Sequence, residues 1–580
     1  QVRVGGQGHY YLFNLSGGTN WIVTGKYDPI SLTGDAAFPG HRGNNYSNTR
    51  GTYGILVDDD FHLFGTGNSG IGVGSSVPVG IVNPPTSDYE ISFIEIREVG
   101  FAGMTLKTND GTDAMNNVFI HDNYLHDIGS EGLYIGSTQT APQHPFNNLR
   151  IENNRILRTG TEALQLGQLG DGCEINNNVF ALAAIDWKDA FQPWQDSCSQ
   201  IGVRYGKSSI HHNVFIGSAN SLISFFGQDR GDPHLAGDGM NIHDNFYSSF
   251  RFLGAWMGGD ADGVSAYQIE RNAFRQFDFQ RDEIYAGAVH PGHLIRVHAA
   301  QTNLISLTDN VFDEPSLELV NGLGGALNGA VGNITATGNS RATVDPITFH
   351  DFMGLPAAID YLKIERWSAT SSRAGGAPTV YSMGDYVMHA ANLYLCIEVG
   401  SHSGKDPTTH PATWQQLPMP GDDVRLAPGS AHTGIGLLDV KTIGLSPYGA
   451  GVAGCDGLHC LGAKSSPVIG NQAFELECSN APTSTLGIMV IGTLPDVAGS
   501  DPLGLGFNLH LLLGPAILAA DVYPSDANGV GHYPLPIPGS AGLIGFGLYA
   551  QSVWAWDPAA CSPTPIGWSS SHALAVTLQP

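Results

Sequence analysis

The chain has 580 residues, with 26 basic against 53 acidic side chains and a net charge of −27. That is too long for one ordinary compact domain, and its charge has the wrong sign for a broad phosphate-binding surface, which sets a nucleic-acid role aside. Only 14% of residues are charged while 76 are glycine and 33 proline, a composition that suits a turn-rich β protein rather than a helical one.

Gln1 opens the chain with no initiator Met and no apolar leader. This reads as a mature form whose export signal has been removed, and predicts a secreted, extracellular or cell-surface protein. The first organised signal is an internal repeat: "NNVFIHDNYLHDIGSEGLYIG" at 116–136 is followed by "NNLRIENNRILRTGTEALQLG" at 147–167. An aliphatic residue three before an Asn and an apolar residue two after it recur as Ile120-Asn123-Leu125, Ile151-Asn154-Ile156, Ile175-Asn178-Phe180 and Ile210-Asn213-Phe215. The series runs on through Ile242-Asn245-Tyr247, Ile269-Asn272-Phe274 and Leu307-Asn310-Phe312, with Asn339 as a copy lacking its apolar flanks. Spacings of 24 to 38 residues are too irregular for helical pairs but natural for a coil whose turns carry loops of varying length. A single unit cannot bury its apolar face, whereas stacked units share one core.

This pattern resembles the right-handed parallel β-helix of pectate lyases and polygalacturonases, and the resemblance implies an all-β solenoid of about ten rungs, with an N-terminal cap and coil over residues 1–345. The asparagines then form an internal ladder and belong to structure rather than to a site.

Counting eight forward from each ladder Asn reaches Glu131 in one rung and Glu162 in the next. Both are expected at the mouth of a turn, facing the same outer groove, with Tyr134 and Gln165 pointing outward from the strands that follow. Rungs stack at about 4.8 Å, and two carboxylates that close cannot both ionise freely unless a cation neutralises them. The next rung breaks the count: Asp186 stands at the eighth position, but the strand is expected at 199–202, so "WKDAFQPWQDS" at 187–197 reads as an inserted lip. It carries Trp187, Lys188, Asp189 and Trp194, aromatic rings for sugar faces beside titratable groups. The histidines near the ladder, "HH" at 211–212 among them, show no acidic or Cys partner at ligand spacing and read as surface or turn residues.

Residues 346–380 are expected to connect the coil to a module at 381–419. There "YSMGDYVMHAANLYLCIEVGSHSGKDPTTHPATWQQL" is similar to small chitin- and cellulose-binding modules, and that resemblance implies Tyr394 and Trp414 as sugar contacts, although Gln415 stands where many relatives carry a second Trp. The stretch at 420–445 reads as a closing rung of the coil, and 450–580 as a separate Gly- and Pro-rich unit resembling C-terminal β-sandwich modules of secreted bacterial proteins. The apolar run at 503–522 is broken by Asn508, His510 and Pro515, which predicts buried strands and no membrane span. Of the seven cysteines, Cys455 with Cys460, Cys478 with Cys561 and Cys173 with Cys198 are candidate disulfides, leaving Cys396 single.

Three functions compete. The first is a glycoside hydrolase on a polysaccharide in which Glu131, Glu162, Asp186 and Asp189 share acid, base or nucleophile roles, with no cofactor required. The second is a lyase on uronate polymers, for which the resemblance implies Lys188 as base and Ca2+ held by Glu131 and Glu162. The third is a non-catalytic polysaccharide-binding or surface-assembly protein, able to stack into oligomers through exposed strands.

Overall fold

The computed structural model describes residues 86–107, 114–136, 144–186, 198–203, 205–218, 238–250, 266–277, 304–313, 334–353, 377–418, 422–427 and most of 445–579, with shorter pieces before and between. The chain divides into two compact units, one holding 1–25, 48–424 and 432–437 and the other centred on 438–580.

The first unit contains a parallel β-helix. Each rung passes through three walls, as in Val118–His121, then Tyr124–Ile128, then Leu133–Ile135, before the next rung begins at Arg150–Glu152. Among the described residues the first wall stacks ten strands from Thr19–Thr24 to Ile334–Thr337. The second stacks eleven, from Val2–Val4 to Ser340–Arg341, and the third nine along its main path, from Tyr11–Asn14 to Ile295–Val297, with the short strands Met115–Asn116 and Phe146–Asn147 attached to it. All of this pairing is parallel, and apart from a shift between Leu166 and Leu169 on the third wall it keeps register, so chemically equivalent positions become columns.

The repeat residues build the core. Ile120, Ile151, Ile175, Ile210, Ile242 and Ile269 lie opposite one another along the first wall, each 3% exposed or less. Burying such a side chain stabilises by roughly 1.5–3 kcal/mol. Phe180, Phe215, Tyr247 and Phe274 form a stack inside the second wall, with ring centroids 4.8, 5.0 and 4.8 Å apart, close to the strand spacing.

The expected Asn ladder is present. The backbone N–H of Asn154 donates to the side-chain oxygen of Asn178 at 2.9 Å, Asn178 donates likewise to Asn213, and Asn213 to Asn245. The side-chain amides add a second bond to the same oxygen and one to a carbonyl of the preceding rung. At the top, Ile94 stands in the ladder position and only donates, to Asn123. The residue before each ladder Asn takes a left-handed turn, as at Asp122, Asn153, Asn177, His212 and Asp244 with φ between 54° and 59°, a conformation for which Asn, Asp and His carry the smallest penalty among side-chain-bearing residues.

The described strand within 420–445 is not a rung of the coil. The strand Asp422–Leu426 pairs with Phe349–Phe352 in a sheet of its own and belongs to none of the three walls. The module beyond the coil is a four-stranded sheet of Ile364–Arg366, Tyr386–His389, Asn392–Cys396 and Trp414–Leu417, so part of the expected connector joins the module.

The second unit is antiparallel throughout its described ladders. A sheet containing Leu486–Gly492, Ile517–Pro524 and Gly547–Ala555 faces a sheet of Cys460–Ala463, Glu475–Ser479 and Gly531–Pro534 across a shared core around Leu476, Met489 and Trp554. This is the β-sandwich expected from the sequence. The Trp554 indole donates to Cys478 Sγ at 3.3 Å. Its expected partner Cys561 lies outside the described residues, as does Cys455. Cys173 and Cys198 are both free thiols within the coil core, which corrects that pairing: the two belong to different walls, and each packs among the aliphatic columns. No described helix is long and apolar enough to cross a membrane.

Candidate functional site

Glu131 and Glu162 occupy the corner between the second and third walls. Gly103 N donates to Glu131 O and Gly132 N to Glu162 O, both at 2.9 Å, which fixes the two glutamates one rung apart. The Ser130 and Thr161 hydroxyls preceding them meet at 3.2 Å. Gly132 is required at this corner because a Cβ there would lie 2.3 Å from Ile156 Cγ2.

Both glutamates are buried, at 1% and 0% exposure, rather than displayed on an open wall. Burial pushes the Glu131 carboxyl above the usual carboxylate range, against the opposing pull of its own backbone N–H, the Ser130 hydroxyl and the Lys107 charge. Its Oε2 is buried with no hydrogen-bond partner among the described residues. Tyr134 and Gln165 are register neighbours on the third wall and are also buried, at 5% and 1%.

Two neighbours escape a count taken from the ladder asparagines. Lys107 Nζ sits 4.3 Å from the Tyr134 ring centroid, and Phe101 meets the same ring edge-on at 6.4 Å. Burial lowers the Lys107 pKa while Glu131 opposes that shift. Their rung lies above the first ladder Asn, where Ile94 replaces it. Aligning "GFAGMTLK" at 100–107 with "GSEGLYIG" at 129–136 would have exposed both.

Of the remaining predicted residues, Asp186, Tyr394 and Trp414 lie among the described residues. The strand after the insertion is Ser199–Val203, where 199–202 was expected, and pairs Leu164 with Ser199. Asp186 stacks beside Gly160 instead of Glu162, its N–H bonding Gly160 O at 3.2 Å. Its carboxylate accepts from Arg366 of the module sheet, and Arg366 also reaches Ile128 O at 3.1 Å. The ion pair thus gives Asp186 a docking partner that the sequence count did not anticipate. Trp187, Lys188, Asp189 and Trp194 lie outside the described residues.

Tyr394 and Trp414 are not surface sugar contacts. They are 4% and 2% exposed and form the module core with Tyr381, Val387 and Cys396. Trp414 packs edge-on against Tyr381 at 5.3 Å and donates its indole N–H to Lys405 O at 2.8 Å. A sheet this small has few other side chains large enough to fill its interior.

A different titratable constellation lies under the strand at 422. Arg158 donates to both oxygens of Asp127, at 2.7 and 3.1 Å, and to both of Asp422, at 2.9 and 2.6 Å, with all three groups buried. Tyr124 O–H also donates to Asp422, and His126 bridges Asp127 and Glu95 at 2.7 and 3.0 Å. Burial opposes the Arg158 charge, but the two carboxylates more than offset it and hold its pKa above the ordinary value. These groups are satisfied by one another, which suits a clasp better than a reaction centre.

No protein-family model matches the chain, and no curated protein matches it. Among solved structures it is similar to the enzymatically active domain of tailspike protein 2 of bacteriophage CBA120, with 12% identity, a TM-score of 0.26, and coverage of 90% of this chain and 64% of that one. It is similar also to the full-length tailspike protein 2 of an Escherichia coli O157:H7 bacteriophage, with 11% identity, a TM-score of 0.27, and coverage of 90% and 57%. The chain therefore spans less than two thirds of either neighbour.

Proposed function

We propose that this is a secreted polysaccharide-acting protein whose chemistry is glycoside hydrolysis at the Glu131 corner. The observation that carries the reading is the Glu131 carboxyl: buried, with a raised pKa and an oxygen left without a partner. A carboxyl whose pKa is raised by a dry setting is biased toward the protonated form that a general acid needs to deliver a proton to a glycosidic oxygen. Glu162 follows one rung away, and the strand spacing of about 4.8 Å is near the roughly 5–5.5 Å separation of retaining pairs, so Glu162 takes the nucleophile role. Tyr134 and Phe101 supply aromatic surface beside the acid.

The hydrolytic route needs no cofactor. Ca2+ belongs to the lyase alternative, whose base, Lys188, lies outside the described residues. The non-catalytic alternative is favoured by the depth of the same glutamates, since a substrate must reach groups that water barely touches. The test is release of reducing ends across a panel of bacterial and plant polysaccharides. Glu131→Gln should lower the rate by about 10²–10⁴-fold while leaving polymer binding intact, and anomeric NMR of the first product should show retention. Undiminished turnover by Glu131→Gln removes the acid assignment. Binding without turnover across the panel leaves the non-catalytic protein.

A further inference from the structure

We infer that the histidine turn at 211–212 is a two-imidazole chelate for a divalent transition metal of square-planar or octahedral preference, Cu2+ above all. His211 ends the strand Lys207–His211 on the first wall, and His212 is the left-handed turn residue before ladder Asn213, with φ 56°. That turn brings the two Nδ1 atoms to 2.9 Å from each other, in a hydrogen bond between the rings that a bound metal would replace. With metal–nitrogen bonds of about 2.0–2.1 Å, a nitrogen separation of that size subtends an angle of about 90° at the metal. This is the cis angle of tetragonal Cu2+ or Ni2+ and is too narrow for tetrahedral Zn2+.

The surroundings hold the pair in place. His243, one rung on, stacks on His211 with centroids 4.9 Å apart and planes 10° from parallel, which fixes the ring orientation. Its own nitrogens are taken by Asp244 at 2.7 Å and Ser209 at 3.3 Å, so it serves as a positioning plate rather than a ligand. Asp244, paired with Arg271, adds the nearest negative charge. Two protein nitrogens leave the remaining coordination positions to water or to an oxygen ligand such as a sugar hydroxyl pair.

The preceding rung supplies substitutions that the coil already accommodates. Asn176 is the register partner of His211, and Asn177 takes the equivalent left-handed turn, so His211→Asn with His212→Asn reproduces a turn already present one rung away. The experiment titrates Cu2+ into untagged, chelator-stripped full-length chain at pH 7.5, followed by calorimetry and electron paramagnetic resonance. The expected result is one site with an axial spectrum, hyperfine structure from two imidazole nitrogens, and weaker binding of Ni2+ and then Zn2+. In the double variant both the site and its nitrogen hyperfine structure are lost, while far-UV circular dichroism is unchanged. An identical isotherm and spectrum in the folded double variant overturn the assignment, as does Zn2+ bound as tightly as Cu2+.

Discussion

The outer faces of two walls of the same coil are built on opposite plans. Along the second wall, Tyr124, Arg155, Val179, Val214 and Phe246 form one outward column, every member 1% exposed or less. Later chain lies across it: Asp422 on Tyr124 and Arg155, His432 with its ring 4.6 Å from Phe246, and Gly436 bonded to His212 O at 2.7 Å. The corresponding column of the first wall runs Glu90, Phe119, Arg150, Glu174, Ser209, Asn241, Gln268 and Ser306, and each of these is at least partly exposed. Backbone geometry is the same in both. The difference teaches that the repeat fixes where side chains point, and that a covered face must pair its charges internally, whereas a bare face can leave that to water.

The largest expected effect comes from breaking the covered face. Asp422→Ala removes one of two carboxylates from a fully buried Arg158, and loss of one partner of a buried ion pair costs about 3–5 kcal/mol. On the bare face, Arg150→Ala removes an arginine half exposed in its pair with Glu152, a change expected to stay within about 0.5 kcal/mol. Urea denaturation of the two variants measures the contrast. Equal losses would mean that the strand at 422 is a lid of little energetic weight.

The ladders give a second, smaller contrast. Asn178 is wholly buried, and its side chain bonds Ile151 O, Asn176 O and Asn213. Asn178→Ala leaves those groups dry and unpaired, at about 1–3 kcal/mol each in the worst case. Asn117 belongs to an exposed ladder from Asp88 to Asn148, with bonds of 2.7 and 3.0 Å. Water replaces those bonds, so Asn117→Ala should shift the denaturation midpoint far less. If the two variants melt together, burial is not what separates the ladders.

The coil was legible because period, Asn and aliphatic residue recur together, and a one-residue slip would turn every Ile outward. The placing of Glu131 and Glu162 one rung apart was legible for the same reason, as counting within a repeat is counting in space, whereas Lys107 and Phe101, on the rung where Ile94 replaces the Asn, were missed. Their depth was not, because exposure depends on what packs over a corner, and that chain carries no repeat. Asp186 illustrates the limit: eight residues on from its ladder Asn it stacks beside Gly160 rather than Glu162, and Arg366, 180 residues away, decides its partner. Tyr394 and Trp414 failed differently. An aromatic in a forty-residue sheet can serve as core or as contact, and the demand for a core prevailed. The clasp at Asp422 had no local signature, since neither Arg158 nor Asp127 differs in sequence from a surface turn residue.

The smallest contrast lies between two histidines on the first wall, and its sign is opposite for each. His121 is held between Asp122 at 2.5 Å and Glu90 at 3.0 Å and stacks on Phe119 at 3.9 Å. Burial disfavours its charge, but the two carboxylates outweigh that cost and raise its pKa above 6.5. The stability it contributes is therefore complete below about pH 6.5 and is lost as pH rises through the elevated folded value. Burial of His211, and after it the charges of the neighbouring imidazoles, lowers its pKa to about 4. Its contribution is present above about pH 6.5 and is lost as pH falls toward 4, because the unfolded chain takes up the proton first. Thermal midpoints of the parent, His121→Gln and His211→Asn chains at pH 5.5 and 8.5 separate the two. The deficit of the first variant should be larger at pH 5.5 and that of the second larger at pH 8.5. Deficits that move in the same direction with pH would show that column position, rather than the neighbouring charge, governs both residues.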